Sequence, residues 1–293
     1  MRTNLDLEEL RSRQRRSLWL EDHPGIHTLA EAERFLDSVG FALRYNATEG
    51  LPLASMYEAG AGRAPEAPTR KIKDRPSEET GEIVQRLAVE LTNELLAKGA
   101  AVEVNIIAGR LVLAHKRLVP ALYNLRRRGA AVDDLQGLSI NAARAYALIS
   151  QKKRATFGDI RRHFGITGWP DPDPAGEALA ELQRHLLVDR GPSEVPKQGI
   201  PYLSKEGIPY RVFHEAHNDI VRAAAKLTIG DAAQTILLAY LKAAIFITPR
   251  KLASMFKLCL TRDEITTTIE RLEVEHRLVR GKAGKAEVVV VCE

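Results

Sequence analysis

Residues 261–291 decide the fold, and they read TRDEITTTIERLEVEHRLVR-GKAGK-AEVVVV. Thr261 and Glu264 have the spacing of a capping box, in which each side chain accepts a hydrogen bond from a backbone amide at the start of a helix. The residues that share one face of the helix that follows are Ile265, Ile269, Leu272 and His276. The stretch therefore predicts a capped amphipathic helix that packs on a core.

A hairpin is predicted directly after this helix. The run beginning at Leu278 is extended, residues 281–285 form a basic turn that contains glycine, and residues 288–291 are all valine. Upstream, Thr248 and Pro249 mark the start of another helix, because proline suits the first helical position. Helix, turn, helix and hairpin in this order are typical of a winged helix-turn-helix.

The same order of elements is predicted in residues 138–217. Ser139 caps a first helix, Thr156 caps a second, and a proline-rich run leads into a third. Residues 186–189 and 210–213 then form the two strands of a hairpin with a long wing tip between them. The predicted fold class is mainly α with small β-hairpins, arranged as tandem winged helix-turn-helix domains.

Four segments are predicted from these patterns. They are a basic N-terminal arm (1–27), an N-terminal α/β domain that fits a degenerate winged helix (28–137), a winged helix with a long wing (138–217) and a C-terminal winged helix (218–293). Residues 60–76 are rich in glycine and proline, which predicts an exposed loop inside the second segment.

Composition favours a soluble globular protein. The 293 residues are 45% hydrophobic and carry a formal net charge of +5, which permits a polyanionic partner. Cys259 and Cys292 fit neither a disulfide framework nor a metal-ligand spacing, which indicates a reducing compartment. No apolar run reaches the roughly 18 residues of a membrane span. We expect a cytoplasmic, nucleoid-associated protein that does not bind membranes.

Basic residues fall where a winged helix would meet a phosphate backbone. The candidates for contact with double-stranded DNA are Arg126, Arg127, Arg128, Lys152, Lys153, Arg154, Arg161, Arg162, Lys282 and Lys285. The predicted recognition helices are acidic, with Glu177 and Glu181 on one and Asp263 and Glu264 on the other. We therefore expect binding mainly through phosphates rather than base reading by a helix.

Catalytic signals are sparse. The sequence contains no glycine-rich phosphate loop after a strand and no Gly-x-Ser-x-Gly. His214 and His217 are three residues apart but lack a third ligand at a recognisable spacing, so neither a metal nor another cofactor is expected. Asp37 and Glu58 are the carboxylates that we select as candidates for acid–base chemistry.

Four phrases resemble a known family. They are EAERFLDSVGF at 31–41, LPLASMYEA at 51–59, LVPALY at 118–123 and ALAELQRHLLV at 178–188. They are similar to the winged-helix DNA glycosylase superfamily of the YcaQ or AlkZ type, and most similar to its short AlkZ-related branch. The resemblance spans roughly residues 28–280. It implies tandem winged helices curved around duplex DNA and an activity that removes alkylated bases and unhooks interstrand crosslinks.

The chain departs from this family at the catalytic motif, which is Gln-x-Gln or Gln-x-Asp. None of its glutamines fits: Gln14, Gln85, Gln136, Gln151, Gln183, Gln198 and Gln234 are followed two positions later by other residue types. The resemblance therefore carries no catalytic residue onto this sequence. The leading hypothesis is a DNA-binding protein without this chemistry. The alternatives are a glycosylase that uses a non-standard carboxylate, and a protein-interaction or transcription-regulatory scaffold that dimerises or binds a protein.

Overall fold

The computed structural model describes residues 3–23, 25–45, 51–61, 78–168, 170–193 and 205–292. Most of the loop predicted at 60–76, Trp169 and most of the predicted long wing tip lie outside these residues. None of the helices in the described ranges combines the length and the apolarity that a membrane crossing requires.

The first helix–strand unit follows a short N-terminal segment. That segment contains β1 (Thr3–Leu5) and α1 (Leu7–Ser17). The unit contains α2 (Leu29–Val39), β2 (Phe41–Leu43), β3 (Ala54–Ser55), α3 (Met56–Ala61), α4 (Glu78–Ala97), β4 (Ala101–Ile107) and β5 (Arg110–His115). Its strands are ordered β3-β2-β5-β4. A 3-10 turn (Lys116–Leu118) and α5 (Val119–Arg127) then leave the sheet.

The second unit is smaller. It contains α6 (Ile140–Lys152), β6 (Ala155–Thr156), α7 (Phe157–Phe164), α8 (Pro174–Arg184), β7 (Val188–Arg190), a 3-10 turn (Lys205–Gly207) and β8 (Pro209–Val212). Its strand order is β6-β8-β7. Two short helices, α9 (Phe213–Ala216) and α10 (Asn218–Ala224), connect it to the next unit.

The third unit ends the chain. It contains α11 (Ile229–Ala244), β9 (Phe246–Ile247), α12 (Pro249–Phe256), α13 (Arg262–Val274), β10 (Leu278–Ala283) and β11 (Ala286–Val291). Its strands are ordered β10-β11-β9, and β1 extends the sheet on the β10 side.

All three units share one topology. Each runs helix, strand, helix, helix and hairpin, and the last strand lies between the first strand and the middle one. The orders β2-β5-β4, β6-β8-β7 and β9-β11-β10 are therefore equivalent. The mainly α class with small sheets is confirmed, and the order of elements predicted for the second and third units is observed.

Local capping chemistry sets the helix starts. Thr28, Thr156 and Thr261 each begin a capping box, with the third helical residue's amide donating to the threonine hydroxyl at 3.3, 3.1 and 3.2 Å. Each box satisfies amide donors that have no partner inside the helix. The caps predicted at these three threonines are confirmed.

The sheet of the first unit is buried on both faces. Ala42 and Leu113 face a core formed with α2, α3 and α4, whereas Val102 and Val104 belong to a second core shared with α5 and the third unit. The turn of the β4–β5 hairpin also donates a hydrogen bond across the units, from the Ala108 amide to the Met255 carbonyl at 2.7 Å. This hairpin is therefore an internal element, and its turn is the exposed part.

The N-terminal segment packs on the third unit. β1 pairs in parallel with β10 over three residues, and the Ser17 hydroxyl on α1 donates to the Lys242 carbonyl on α11 at 3.0 Å. The segment that the sequence predicted as a separate basic arm thus covers the edge of β10, where open backbone groups would otherwise invite pairing with another chain.

Two local predictions in the third unit were wrong. His276 does not lie on the apolar face of α13, because the helix ends at Val274 and His276 is exposed with a φ of 56°. The basic turn is also shorter than residues 281–285. Gly281 and Lys282 are paired in the strands, so the loop is Gly284 and Lys285. Gly284 has a φ of 60°, as the first position of a primed two-residue turn requires.

Candidate functional site

A pocket with a volume of about 470 Å³ opens between the first and second units. Its described lining residues are Leu43, Arg44, Tyr45, Glu103, Asn105, Gly109, Arg110, Leu111 and Arg190. They come from the end of β2, from β4 and its turn, and from the end of β7. The pocket thus depends on how two units pack, which places it among the inter-unit clefts where ligand sites often form.

Three buried charges form the floor of this pocket. Glu103 is 4% exposed and accepts hydrogen bonds from Arg44 Nη2 at 3.1 Å and from Arg190 Nη1 at 2.9 Å. The two arginines are 7% and 8% exposed. One carboxylate faces two guanidinium groups, so the buried cluster carries an excess of one positive charge.

Two tyrosines lie close to Arg190. Burial lowers the pKa of the Arg190 guanidinium, but the attraction of Glu103 outweighs burial, with smaller contributions from Tyr210 and Tyr45, and the net pKa is raised. Burial also raises the pKa of Tyr210 to about 12, so its phenol is neutral near pH 7. Arg190 therefore stays charged, and Glu103 is its countercharge.

The rim of the pocket is mixed in character. The Tyr45 ring is 42% exposed and Leu111 is 41% exposed, and Arg110 is exposed on the β4–β5 turn beside them. The turn residues Ala108 and Gly109 have φ values of 52° and 65°, as the two central positions of a type I′ turn require. This tight turn holds Arg110 next to the aromatic ring.

The arginine run predicted to bind phosphate joins the units instead. Arg126 Nε donates to the Arg184 carbonyl at 2.6 Å, and Arg126 Nη2 lies 2.9 Å from His185 Nε2 in the second unit. Arg128 makes two hydrogen bonds to Glu264 of the third unit, at 2.7 and 2.8 Å, and one to the Cys259 carbonyl at 3.0 Å. The end of α5 therefore fixes both neighbouring units.

Two of the predicted DNA-contact residues are interior. Arg127 is buried and donates to the carbonyls of Ala131 and Asp134. Arg161 is buried and pairs with Asp173 at 3.1 Å and Glu206 at 3.0 Å. Because protein oxygens already surround these guanidinium groups, we withdraw the expectation that they contact phosphate.

The remaining predicted cations lie at the surface. Lys152, Lys153 and Arg154 are exposed after α6, and Arg162 is exposed on α7. Lys152 and Arg162 both approach Asp159, at 3.5 and 2.6 Å, and Lys153 pairs with Glu215 at 3.0 Å. Exposed pairs of this kind contribute little to stability and exchange readily for another anion.

Three surface cations lack such neighbours. Among the residues that the structure describes, Arg154, Lys282 and Lys285 form no ion pair with an acidic side chain. Lys282 and Lys285 lie at the end of the β10–β11 hairpin. These three are the predicted cations that are freest to meet a phosphate.

Neither candidate carboxylate lines the pocket in the described part of the chain. Asp37 lies on α2, where Arg117 Nε donates to its Oδ1 at 2.7 Å. Glu58 lies on α3 and is buried, and its backbone amide donates to the Ser55 hydroxyl at 3.2 Å. The structure thus does not bring the two carboxylates to the pocket.

The histidines have structural surroundings. His217 Nε2 lies 3.0 Å from Asp189 Oδ2, beside Arg211. Within the described ranges, no group of three or more His, Cys, Asp or Glu side chains could hold a metal ion. Asp173 caps α8 by accepting from the Ala175 amide at 2.9 Å, which confirms the helix-start role inferred for it.

His185 should make stability depend on pH. Burial, followed by the charge of Arg126, lowers the pKa of His185 to about 4 from a usual value of 6.5. Between these values the unfolded chain binds a proton that the folded chain does not, so stability should fall as pH falls. We expect a loss on the order of 2 kcal/mol between pH 7 and 4.5. Urea denaturation at several pH values measures it.

A matched variant separates this histidine from the other groups that titrate in the same range. Gln can accept the Arg126 hydrogen bond but carries no titrating group, so His185→Gln should flatten the pH dependence above pH 4.5. Equal slopes for the two proteins would show that His185 is not the source.

The pocket residues were not found from the sequence. The available signal was charge within apolar strands, since Arg44 follows Phe41-Ala-Leu and Glu103 interrupts a run of valines. A buried charge needs a partner. The sequence did not reveal that these partners come from three different strands.

Comparisons with known proteins give one structural relationship. No protein-family model and no curated protein matches this sequence. Among solved structures, the chain is similar to the Streptomyces sahachiroi DNA glycosylase AlkZ, with a TM-score of 0.58 and 10% sequence identity. The similarity covers 99% of this chain and 70% of the AlkZ chain. The two chains share a fold. At this identity the relationship is distant, and it supports the sequence resemblance at the level of fold.

Proposed function

We propose that this protein binds double-stranded DNA through three winged helices. The observation that carries the proposal is the threefold repetition of one topology, helix–strand–helix–helix–hairpin with the last strand in the middle. Winged helices dock on duplex DNA with a helix near the major groove and a hairpin along the backbone. The similarity in fold to a DNA glycosylase over nearly the whole chain supports the same function.

The acidic character of α13 is less of an obstacle than its sequence suggests. Glu264 is paired with Arg128, Glu273 with Arg280 at 3.0 Å, and Glu275 with Arg271 at 3.0 Å. Each internal pair offsets a negative charge that would otherwise repel a phosphate backbone. Glu181 is likewise engaged, because it accepts from the Ser139 amide and hydroxyl at 3.0 and 2.6 Å.

The β10–β11 hairpin is the element that we assign to the phosphate backbone. Its tip carries Lys282 and Lys285, both exposed, on a rigid two-residue turn. Each lysine that neutralises a phosphate releases a condensed counterion, so binding through such groups weakens as salt rises.

Fluorescence anisotropy with a labelled duplex at low and moderate salt tests the proposal. We expect binding at low salt, with log affinity falling linearly against log salt. The variant Lys282→Gln/Lys285→Gln should bind roughly 10-fold more weakly and lose about two from the magnitude of that slope.

Lys98→Gln is the matched control, because Lys98 is an exposed lysine outside the proposed interface and pairs with Glu33 at 2.6 Å. It should bind as the parent does. Absence of binding by the parent at micromolar protein in low salt would refute the proposal. Equal salt slopes for the parent and the hairpin variant would remove the hairpin from the interface.

A DNA glycosylase is the second candidate, favoured by the fold shared with AlkZ. It would need a catalytic group other than the family's glutamines, and Glu58 and Asp37 remain the carboxylates proposed for it. Incubation with methylated or crosslinked duplex tests this directly. Abasic sites that disappear in Glu58→Gln or Asp37→Asn would support a glycosylase, and an absence of abasic sites would leave DNA binding alone. The predicted homodimer or protein partner stays a prediction.

A further inference from the structure

We propose that the pocket between the first and second units binds a nucleoside 5′-monophosphate, either free or as the phosphorylated end of a DNA strand. This site goes beyond duplex binding, and it rests on the pocket alone.

The charge of the pocket selects an anion. Its floor holds Arg44 and Arg190 against the single carboxylate of Glu103, and the rim adds Arg110. The lining therefore carries three positive charges and one negative charge. A phosphate monoester brings close to two negative charges at pH 7. A bound phosphate would thus balance the excess, whereas a cation would be repelled.

The hydrogen bonds of the floor are incomplete. A guanidinium has five N–H donors, and Glu103 accepts one bond from each of the two buried arginines. Within the described structure, Arg44 Nε, Arg190 Nε and Asn105 Oδ1 are buried without any hydrogen-bond partner. Buried donors that lack an acceptor are costly. Phosphate oxygens in the adjoining pocket would draw on the remaining donors of this pair.

The walls suit the organic part of a nucleotide. Leu43 and Leu111 are apolar, and the Tyr45 ring is partly exposed at the mouth. Aromatic side chains stack on bases without regard to sequence. A volume of about 470 Å³ is in the range of small-ligand sites. Base and sugar would contact Tyr45 and the leucines while the phosphate meets Arg110 and the buried pair.

Isothermal titration of the full chain with deoxyadenosine monophosphate, deoxyadenosine and inorganic phosphate tests the site. We expect the monophosphate to bind at least about 10-fold more tightly than the nucleoside, as the loss of a charge-assisted contact predicts. Arg110→Gln and Tyr45→Ala should each weaken the monophosphate several-fold. Both residues are exposed, so these variants should fold, which thermal denaturation verifies.

Arg144→Gln is the matched control, since Arg144 is an exposed arginine that lies over the Phe164 ring in the second unit. It should bind the monophosphate as the parent does. The absence of monophosphate binding at about 5 mM would overturn the proposal. Equal affinities for nucleotide and nucleoside, or a monophosphate affinity unaffected by Arg110→Gln, would also overturn it.

Two further duplexes distinguish the sources of the phosphate. If strand ends are bound, a duplex with a 5′-phosphorylated overhang should bind more tightly than its 5′-hydroxyl counterpart, and the difference should vanish in Arg110→Gln. If only the free nucleotide is bound, the two duplexes should bind equally while titration with the monophosphate still succeeds. Either outcome supports the pocket. Blunt unphosphorylated duplex reports the proposed function separately, because it offers no phosphate monoester.

Discussion

Replacing Glu103 by alanine is expected to destabilise the protein by about 3 to 5 kcal/mol. The variant would leave the guanidinium groups of Arg44 and Arg190 buried side by side without a countercharge. Burial of an unpaired charge is far more costly than the loss of the pair itself, and two like charges add repulsion. Urea denaturation followed by circular dichroism measures the change.

A triple variant isolates the charge effect from packing. Arg44→Met/Glu103→Leu/Arg190→Met removes all three charges together, and buried ion clusters replaced in this way are often neutral or more stable. We expect it to lie near the parent and well above Glu103→Ala. A loss below about 1 kcal/mol in Glu103→Ala, the size of an ordinary surface effect, would show that the cluster is hydrated rather than buried.

Glu264→Ala is expected to cost about 2 kcal/mol, because Glu264 serves two contacts at once. It accepts from the Thr261 amide at 2.8 Å in the capping box of α13, and it binds both Nη atoms of Arg128. The Arg128 hydrogen bond lowers the pKa of Glu264 to about 2 against the opposing effect of burial. The folded pKa is depressed, so this stability is present above about pH 4.5 and is lost as pH falls toward 2.

Thr261→Ala and Arg128→Ala separate the two contributions. Thr261→Ala removes the hydroxyl cap, at a cost of about 1 kcal/mol. Arg128→Ala removes the link between the first and third units, and because Arg128 is 42% exposed solvent screening limits its contribution to about 1 kcal/mol. A double-mutant cycle between Arg128 and Glu264 that shows no coupling would mean that the contact does not hold the units together.

Local chemistry made much of the fold predictable. The threonine caps at 28, 156 and 261 act on amides within three residues, so sequence spacing alone locates the helix starts. The hairpins follow from valine runs and glycine turns in the same way. The repeated order of elements was visible for these reasons.

The arginine run of residues 126–128 shows where such prediction ends. Three adjacent arginines are typical of a surface patch, but the acceptors of Arg126 and Arg128 lie 58 and 136 residues away in sequence. Those acceptors are backbone carbonyls and a capping glutamate, which carry no signal of a distant partner. Arg127 is buried by the loop that follows it.

The pocket could not be predicted for a related reason. Its residues come from two units, and their packing is set by apolar contacts shared over a continuous core. Sequence periodicity reports that a face is buried but not which face covers it. The parallel pairing of β1 with β10 was missed on the same ground, since its partners are separated by nearly the whole chain.

Hydrogen–deuterium exchange with saturating duplex DNA tests the central claim, that the units present one surface to DNA, most directly. We expect slowed amide exchange in peptides that cover residues 152–154 of the second unit and the β10–β11 turn of the third, with peptides from the buried β4 strand unchanged. Slowing in both regions would support a continuous interface. No slowing in either region, or slowing confined to a single unit, would contradict it.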